Sequence, residues 1–471
     1  MPKSGSKYQQ YATLCVNLLT ICYGAFVGWS SAAFLLFQSE DSPLDGGPLS
    51  TAEVSWVGSI LCVGGLLGTF LFGWMSDRFG RKKSLLFAVI PQLLSWLFIV
   101  VGNSFFYLMI SRIMGGICAG AIFILVPIYV HEIAQDRIRG ALGTFFSFSC
   151  NIGILTAYVL GNYMSYNTSP YIFIGVTVLY FVLLLFLPES PIYLMKRQKE
   201  QKAEHSLRYF RNMRKISQPP DFFKDEIEKL RNDYIDGNTK GEEPPLDWKD
   251  LSNPVARRVI IIGVSLMALN QFCGCFAIIS YTATLFEQSG SSLSPNVSTI
   301  IVGILLLVGA YVSTVLVDRA GRRLLLSLSA VGTGVGEACL GLYLYCKILG
   351  YNVEAVNWLP IVSISFVIFV ASLGVLTLPF VVLAEIAPPK IRGVAVSLCM
   401  ITFWIFAFLS IKYVPIMMVF LGLHSCMFIF AACCFVGAAF ILFYVPETKG
   451  KSLEAILASF EGRAPELVEL K

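Results

Sequence analysis

Glu132 and Arg139 stand seven residues apart in "EIAQDRIRG", and Glu385 and Arg392 stand seven apart in "EIAPPKIRG". Asp77, Arg78 and Arg81 of "DRFGRKK" are echoed by Asp318, Arg319 and Arg322 of "DRAGRRL", and Glu189 of "PESP" by Glu447 of "PETK". Acids and arginines at helix ends make bidentate bonds between neighbouring helices. A pair about 4 Å apart in a dielectric of ~20 is worth about 4 kcal/mol before desolvation is subtracted. A network of such pairs can hold a conformational gate that releases when one side opens. The alternative is that the charges only mark topology, but the positive-inside rule asks for cations and not for the matching acid in each copy.

The elements that must carry these charges are membrane helices. The chain has 471 residues, 56% hydrophobic and 14% charged, with a mean hydropathy of +0.71, against roughly 25% charge in soluble domains. About twelve apolar runs are long enough to cross a hydrocarbon core of about 30 Å, six before and six after one polar interval. They must be helical, because lipid cannot satisfy open backbone groups. The first run is too long for a signal peptide and is expected to remain as the first span. Basic residues occupy alternate loops, while Glu40, Asp41, Asp45, Glu53 and Glu287 occupy the others. This places both termini and the long interval in the cytosol. The sequons at Asn167 and Asn296 fall in loops on the opposite side and are expected to be glycosylated. The 13 cysteines lie mostly inside spans and read as small apolar residues, not a disulfide framework.

All three motif pairs keep their order at a similar offset, so the chain is two copies of a six-helix unit. Even-numbered copies insert in the same orientation, giving parallel halves with a substrate site at the midplane between them. The expected division is an N-terminal bundle over 1–190, cytosolic linker helices over 191–256, a C-terminal bundle over 257–447 and a cytosolic tail over 448–471.

"GWMSDRFGRKKSL", "RIMGGICAGAIFILVPIYVHEIAQDRIRGALGT", "PESPIYL", "DRAGRRLLL" and "PETKGKSLEAI" together resemble the sugar porter family of the major facilitator superfamily, over nearly the whole chain. "GWSSAAFLLF" and "TAEVSWVGSI" are most similar to the insect facilitated trehalose and hexose transporters. The resemblance implies an all-α membrane protein of the major facilitator fold. It also implies a sugar site: Gln271 and Asn270 in the seventh span, Tyr281 and Trp404 closing or flooring the site, and Ser147 and Phe380 at family positions beside it; Thr402, by its own type, joins Asn270, Gln271 and Trp404 in a small polar patch. Amides suit a polyol because each offers both donor and acceptor. The family pattern is depleted here. Cys273 and Phe276 replace a serine and an asparagine, Leu306 stands for an asparagine, Ser147 for a glutamine, and Phe403 and Ala407 for asparagines, while Phe380 stands for a tryptophan.

Two charges fall inside spans. Arg112 matches a family arginine whose aspartate partner in the first span is Phe26 here, so proton coupling by that route is not expected. Glu337 lies mid-span in the ninth helix, where a carboxylate is expensive and usually functional; a protonated, hydrogen-bonded structural role is the other reading. The three histidines, His131, His205 and His424, have no metal-ligand spacing and no phosphate loop is present, so neither an enzyme nor a metal or cofactor site is expected. No polar filter suggests a channel. The expected function is uniport of a small solute, a sugar such as trehalose or a hexose, by a monomer in the plasma membrane, with the bilayer and not nucleic acid as its partner. The alternatives are a carrier of a less polar solute and a transporter-like nutrient receptor without flux.

Overall fold

The computed structural model describes residues 6–166, 168–214, 216, 220–236, 253–451 and 453–460. Among them are twelve helices long and apolar enough to cross a membrane. The first six are Lys7–Phe37, Thr51–Phe79, Arg81–Val101, Phe105–Ile133, Arg137–Tyr163 and Thr168–Leu185. The second six are Pro254–Ser280, Pro295–Val317, Arg322–Ile348, Glu354–Ile386, Lys390–Leu421 and Leu423–Tyr444. No strand occurs among the described residues. The chain is an all-α, multi-pass membrane protein.

Helix starts follow local chemistry. Glu53 accepts from the Ser50 N–H at 2.8 Å, and Ser50 Oγ accepts from the Glu53 N–H at 3.3 Å, a reciprocal cap that opens the second span. Asn253 caps Pro254, its side chain accepting from the Val255 N–H at 3.1 Å. Proline at the first helical position forgoes an N–H that would be unpaired there anyway.

The helices group into two compact units. The first contains Met1–Phe26, Gly64–Gly153 and Tyr166–Pro245; the second contains Val27–Val63, Ile154–Ser165 and Leu246–Lys471. The first, second and fifth spans thus give one portion to each unit.

Small residues set the packing of the first unit. A Cβ on Gly24 would stand 2.0 Å from the Cys150 carbonyl oxygen, and one on Gly153 would stand 2.1 Å from that of Ile21. Backbones meet there at a distance only glycine permits, and close approach drives association where lipid gives no hydrophobic force. Trp96 fills the core, fully buried, stacked on Phe173 at 5.0 Å and edge-on to Phe26 at 5.0 Å. The linker forms helices Pro191–Lys196, Glu200–Phe210 and Asp221–Arg231 that pack on this unit. Arg211 joins them by donating to the Ile133 carbonyl at 3.0 Å while pairing with Glu226 at 2.6 Å. Residues 237–252 of the expected linker lie outside the described residues.

Two spans of the second unit are broken. The seventh runs Pro254–Phe272, turns at Gly274 (φ +73°) and resumes at Cys275–Ser280. The tenth stops at Leu373 and restarts at Leu378. Side chains satisfy the backbone freed in the tenth. Ser313 Oγ donates to the Leu373 carbonyl at 2.7 Å, Ser329 Oγ accepts from the Val375 N–H at 3.0 Å, and Asn270 Nδ2 donates to the Val375 carbonyl at 2.8 Å. Non-helical backbone at membrane depth is tolerated only with such partners.

Candidate functional site

The repeated charges form two cradles of the same design. In the first unit, Gly80 turns with φ +103° and the carboxylate of Glu189 accepts from the N–H groups of Arg81, Lys82 and Ser190, each at 2.9 Å. Arg81 then reaches Glu132 through Nε at 3.1 and 3.0 Å and Nη2 at 2.9 Å, and donates from Nη1 to the Ser76 carbonyl. In the second unit, Gly321 turns with φ +91° and Glu447 accepts from the N–H groups of Arg322 at 3.0 Å and Arg323 at 3.2 Å. Arg322 reaches Glu385 through Nε and Nη2, both at 3.2 Å, and donates to the Val317 carbonyl. Each glycine is required twice over: the left-handed turn disfavours a side chain, and a Cβ would stand 2.4 Å from Glu189 Oε2 or 2.7 Å from Glu447 Oε2.

Electrostatics separates the copies. Burial pushes the Glu189 carboxyl up, against the pull of the N–H groups of Lys82, Ser190 and Arg81. Burial also pushes Glu447 up, but the N–H groups of Lys449, Arg322 and Arg323 outweigh it and hold that carboxyl below the usual value. The remaining expected charges act locally. Asp77 is exposed and 3.6 Å from Arg81, and Arg78 lies over the Trp74 ring at 6.0 Å. The Arg319 carbonyl accepts from Lys449 at 2.7 Å, while the Asp318 side chain lies outside the described residues. Arg139 and Arg392 donate to the carbonyls of Ala134 and Ala387, at 3.5 and 3.1 Å.

Around the broken helices the second unit gathers most of the expected ligands. Asn270 spends its N–H on the Val375 carbonyl, and Gln271 Nε2 donates to Asn270 Oδ1 at 2.8 Å. Gln271 is 1% exposed, and its Oε1 accepts no hydrogen bond from any described residue. Phe380 meets Phe403 at 5.6 Å, and Phe403 meets Trp404 at 5.2 Å, a run of edge-on rings. Thr402 turns its hydroxyl onto the Cys399 carbonyl at 2.9 Å. Ser147 lies in the first unit. Leu306, Phe403 and Ala407 are buried apolar positions, as their types imply.

The end of the second unit away from its charge cradle is closed by portions of the first, second and fifth spans. Ser31 Oγ accepts from the Ala283 N–H at 2.9 Å, and the Phe34 and Tyr281 rings meet at 5.4 Å. Tyr158 donates to the Ile279 carbonyl at 2.7 Å, and Tyr281 to the Ile411 carbonyl at 3.2 Å. A Cβ on Gly58 would stand 2.6 Å from the Tyr281 hydroxyl. Tyr281 was legible in the sequence; Ser31, Tyr158 and Gly58 were not, because nothing in their types marks a closure.

Both intramembrane charges are buried. Arg112 donates to the Phe26 carbonyl at 3.2 Å and lies over the Phe26 ring at 4.7 Å. Glu337 is 0% exposed and accepts from Cys434 Sγ at 3.6 Å. A third, Lys412, was missed, although a lysine in the apolar run "FWIFAFLSIKYVPIMM" was signal enough. Asn296 is the second residue of the Pro295–Ala320 helix, and Asn167 lies outside the described residues. No disulfide joins any of the 13 cysteines, all of which are described.

Comparison with known proteins places this geometry. Residues 5–460 match the family model for "Sugar (and other) transporter". The chain is 32% identical over 456 residues to the facilitated trehalose transporter Tret1 of Drosophila virilis, covering 97% of this chain and 49% of that protein. It is 30% identical over 455 residues to Tret1 of Polypedilum vanderplanki, covering 97% and 88%. Thus the chain spans about half the length of the first relative and most of the second. Among solved structures, the partially occluded inward-open form of the xylose transporter XylE from E. coli superposes with a TM-score of 0.78 at 22% identity, covering 95% of this chain and all of that one. The fold is that of these porters of the major facilitator superfamily, and the chain belongs to the sugar (and other) transporter family.

Proposed function

We propose that the chain is a facilitative carrier of a small hydroxylated solute, trehalose or a hexose, working by alternating access between the halves 1–190 and 257–447. The observation that carries this reading is Gln271 Oε1, a buried acceptor with no donor among the described residues, beside helices already broken and held by Asn270. An unpaired buried polar atom costs about 1–3 kcal/mol; a solute hydroxyl arriving there would recover it. Phe380, Phe403 and Trp404 supply the ring face against which a sugar's apolar side packs, with Tyr281 as the lid and Thr402 as a neighbour. The basic ends and both termini face the cytosol, the membrane is the plasma membrane, Asn167 and Asn296 are glycosylated outside, and the protein works as a monomer.

Uniport follows from the first span. Lys7–Phe37 holds no carboxylate, and Arg112 rests on the carbonyl and ring of Phe26. The cradles of Arg81 and Arg322 stiffen each half, while Arg139 and Arg392 complete the cytosolic gate. Uptake by reconstituted vesicles tests the reading. Saturable trehalose or glucose entry, unchanged by a protonophore at constant voltage, is expected; entry that collapses with the proton gradient would point to Glu337 as a proton carrier and end the uniport reading.

A further inference from the structure

Lys412 is the charge that the sugar site and the cradles do not use. It lies in the eleventh span, Lys390–Leu421, and is 9% exposed. Its ammonium donates to Ser55 Oγ at 2.9 Å and lies 3.7 Å from the centre of the Trp56 ring. Ser55 is oriented for this, since its own proton goes to the Ala52 carbonyl at 2.7 Å, leaving a lone pair for the lysine. Phe408, one turn back on the eleventh span, places its ring 6.2 Å from that of Trp56, tilted to it. No described carboxylate forms an ion pair with Lys412.

An ammonium taken out of water loses several kcal/mol of hydration. Here one hydroxyl and one aromatic face replace that hydration, and both come from consecutive residues of a single helix, the second span. Cation–π attraction grows when the pair is desolvated. Gly58, three residues on from Ser55, lets the second span approach Tyr281 and Ile411 closely enough to complete the contact. Separation of the second and eleventh spans at this end would return Lys412 to water and uncover the face that the half-exposed Trp56 ring turns to it. An open state would differ from this closed one by the hydration of one charge, the kind of difference a two-state element needs.

We propose that Lys412 and the Ser55–Trp56 pair are the latch of the outer gate: a cation–π and hydrogen-bonded clasp that holds the outer ends of the second and eleventh spans shut and must open in every cycle. This rests on the alternating-access reading above. The test reads gate opening directly and without solute, so it stands apart from whether any sugar is carried. Ser59, fully buried one turn along the second span from Ser55, is replaced by cysteine as a reporter. Its modification by a membrane-impermeant thiol reagent from the outside is timed against the chain without the reporter.

Lys412→Met, which keeps the stem and drops the charge, and Trp56→Leu should each raise the modification rate about tenfold, equivalent to 1.4 kcal/mol. The double variant should rise no further than either single one, because both break the same clasp. Fluorination of the Trp56 indole, which weakens the ring's negative face without changing its shape, should raise the rate stepwise with each fluorine. An additive double variant, a flat fluorine series, or a Lys412→Met rate equal to or below the parent's would overturn the proposal, the last because it would mean the buried charge opposes closure.

Discussion

The two charge cradles are built from the same phrases and are not equally strong. Arg81 and Glu132 are nearly sealed, their side chains 7% and 11% exposed, and share three contacts of 2.9–3.1 Å. Arg322 and Glu385 are 16% and 30% exposed, meet through one carboxylate oxygen at 3.2 Å, and leave Glu385 Oε2 without a described partner. The glutamates that cap the following helices split the same way, Glu189 pushed up by burial and Glu447 held down by its N–H donors. Repetition of sequence copied the connectivity, while burial set the energy of each copy.

If burial sets the energy, breaking the first cradle must cost more. Arg81→Ala leaves the mostly covered Glu132 unpaired, an effect of about 3 kcal/mol, whereas Arg322→Ala removes a more hydrated pair worth about 1 kcal/mol or less. Thermal unfolding in detergent should show a clearly larger fall in midpoint for Arg81→Ala; equal falls would erase the distinction. The glycines sharpen the comparison. Gly80→Ala and Gly321→Ala each put a side chain at positive φ, a penalty of about 1–2 kcal/mol, and Gly80→Ala adds the tighter clash with its glutamate. It should therefore be the more destabilised, and an order reversed between the two would show that the carboxylates yield freely.

Much of this was readable before any coordinates. The twelve spans and the charged side chains that meet in the cradles, Arg81, Glu132, Glu189, Arg322, Glu385 and Glu447, are written in charge and apolar run length, because lipid permits few alternatives. The site was half legible. Gln271 and Asn270 stood out as amides in an apolar run, but that Asn270 is consumed by the Val375 carbonyl depends on a helix break 105 residues away. Lys412 was visible as a charge and silent as to partners, since a hydroxyl and a ring carry no sequence mark of pairing. Ser31, Tyr158 and Gly58 are ordinary residues placed at this closure only by what they touch.

The same comparison predicts how pH acts. Glu189 binds its proton more tightly in the folded chain, so its contribution grows as pH falls from neutral and is complete below the unfolded value of 4.5. Glu447 binds its proton more weakly when folded, so its contribution is full above 4.5 and is lost as pH falls through its lower folded value. Against the matching glutamine variants, the parent should gain stability at the Glu189 position as pH falls toward 4.5, while the difference at Glu447 stays flat above 4.5. Parallel slopes would mean the two carboxylates share one environment. A smaller effect separates the two amides: Asn270→Ala should lower the unfolding midpoint by loosening the tenth span, an effect of about 1 kcal/mol, and Gln271→Ala should barely move it.

Solute counterflow tests the central claim, alternating access to a site that includes Gln271, most directly. Vesicles loaded with unlabelled trehalose or glucose and diluted into a trace of labelled solute should show a transient overshoot of label inside, because a carrier exchanges solute one for one before the gradient decays. The overshoot should vanish in Gln271→Ala while the protein's unfolding midpoint is kept. Binding of solute with no overshoot in the parent chain, or an overshoot that survives Gln271→Ala unchanged, would contradict the account.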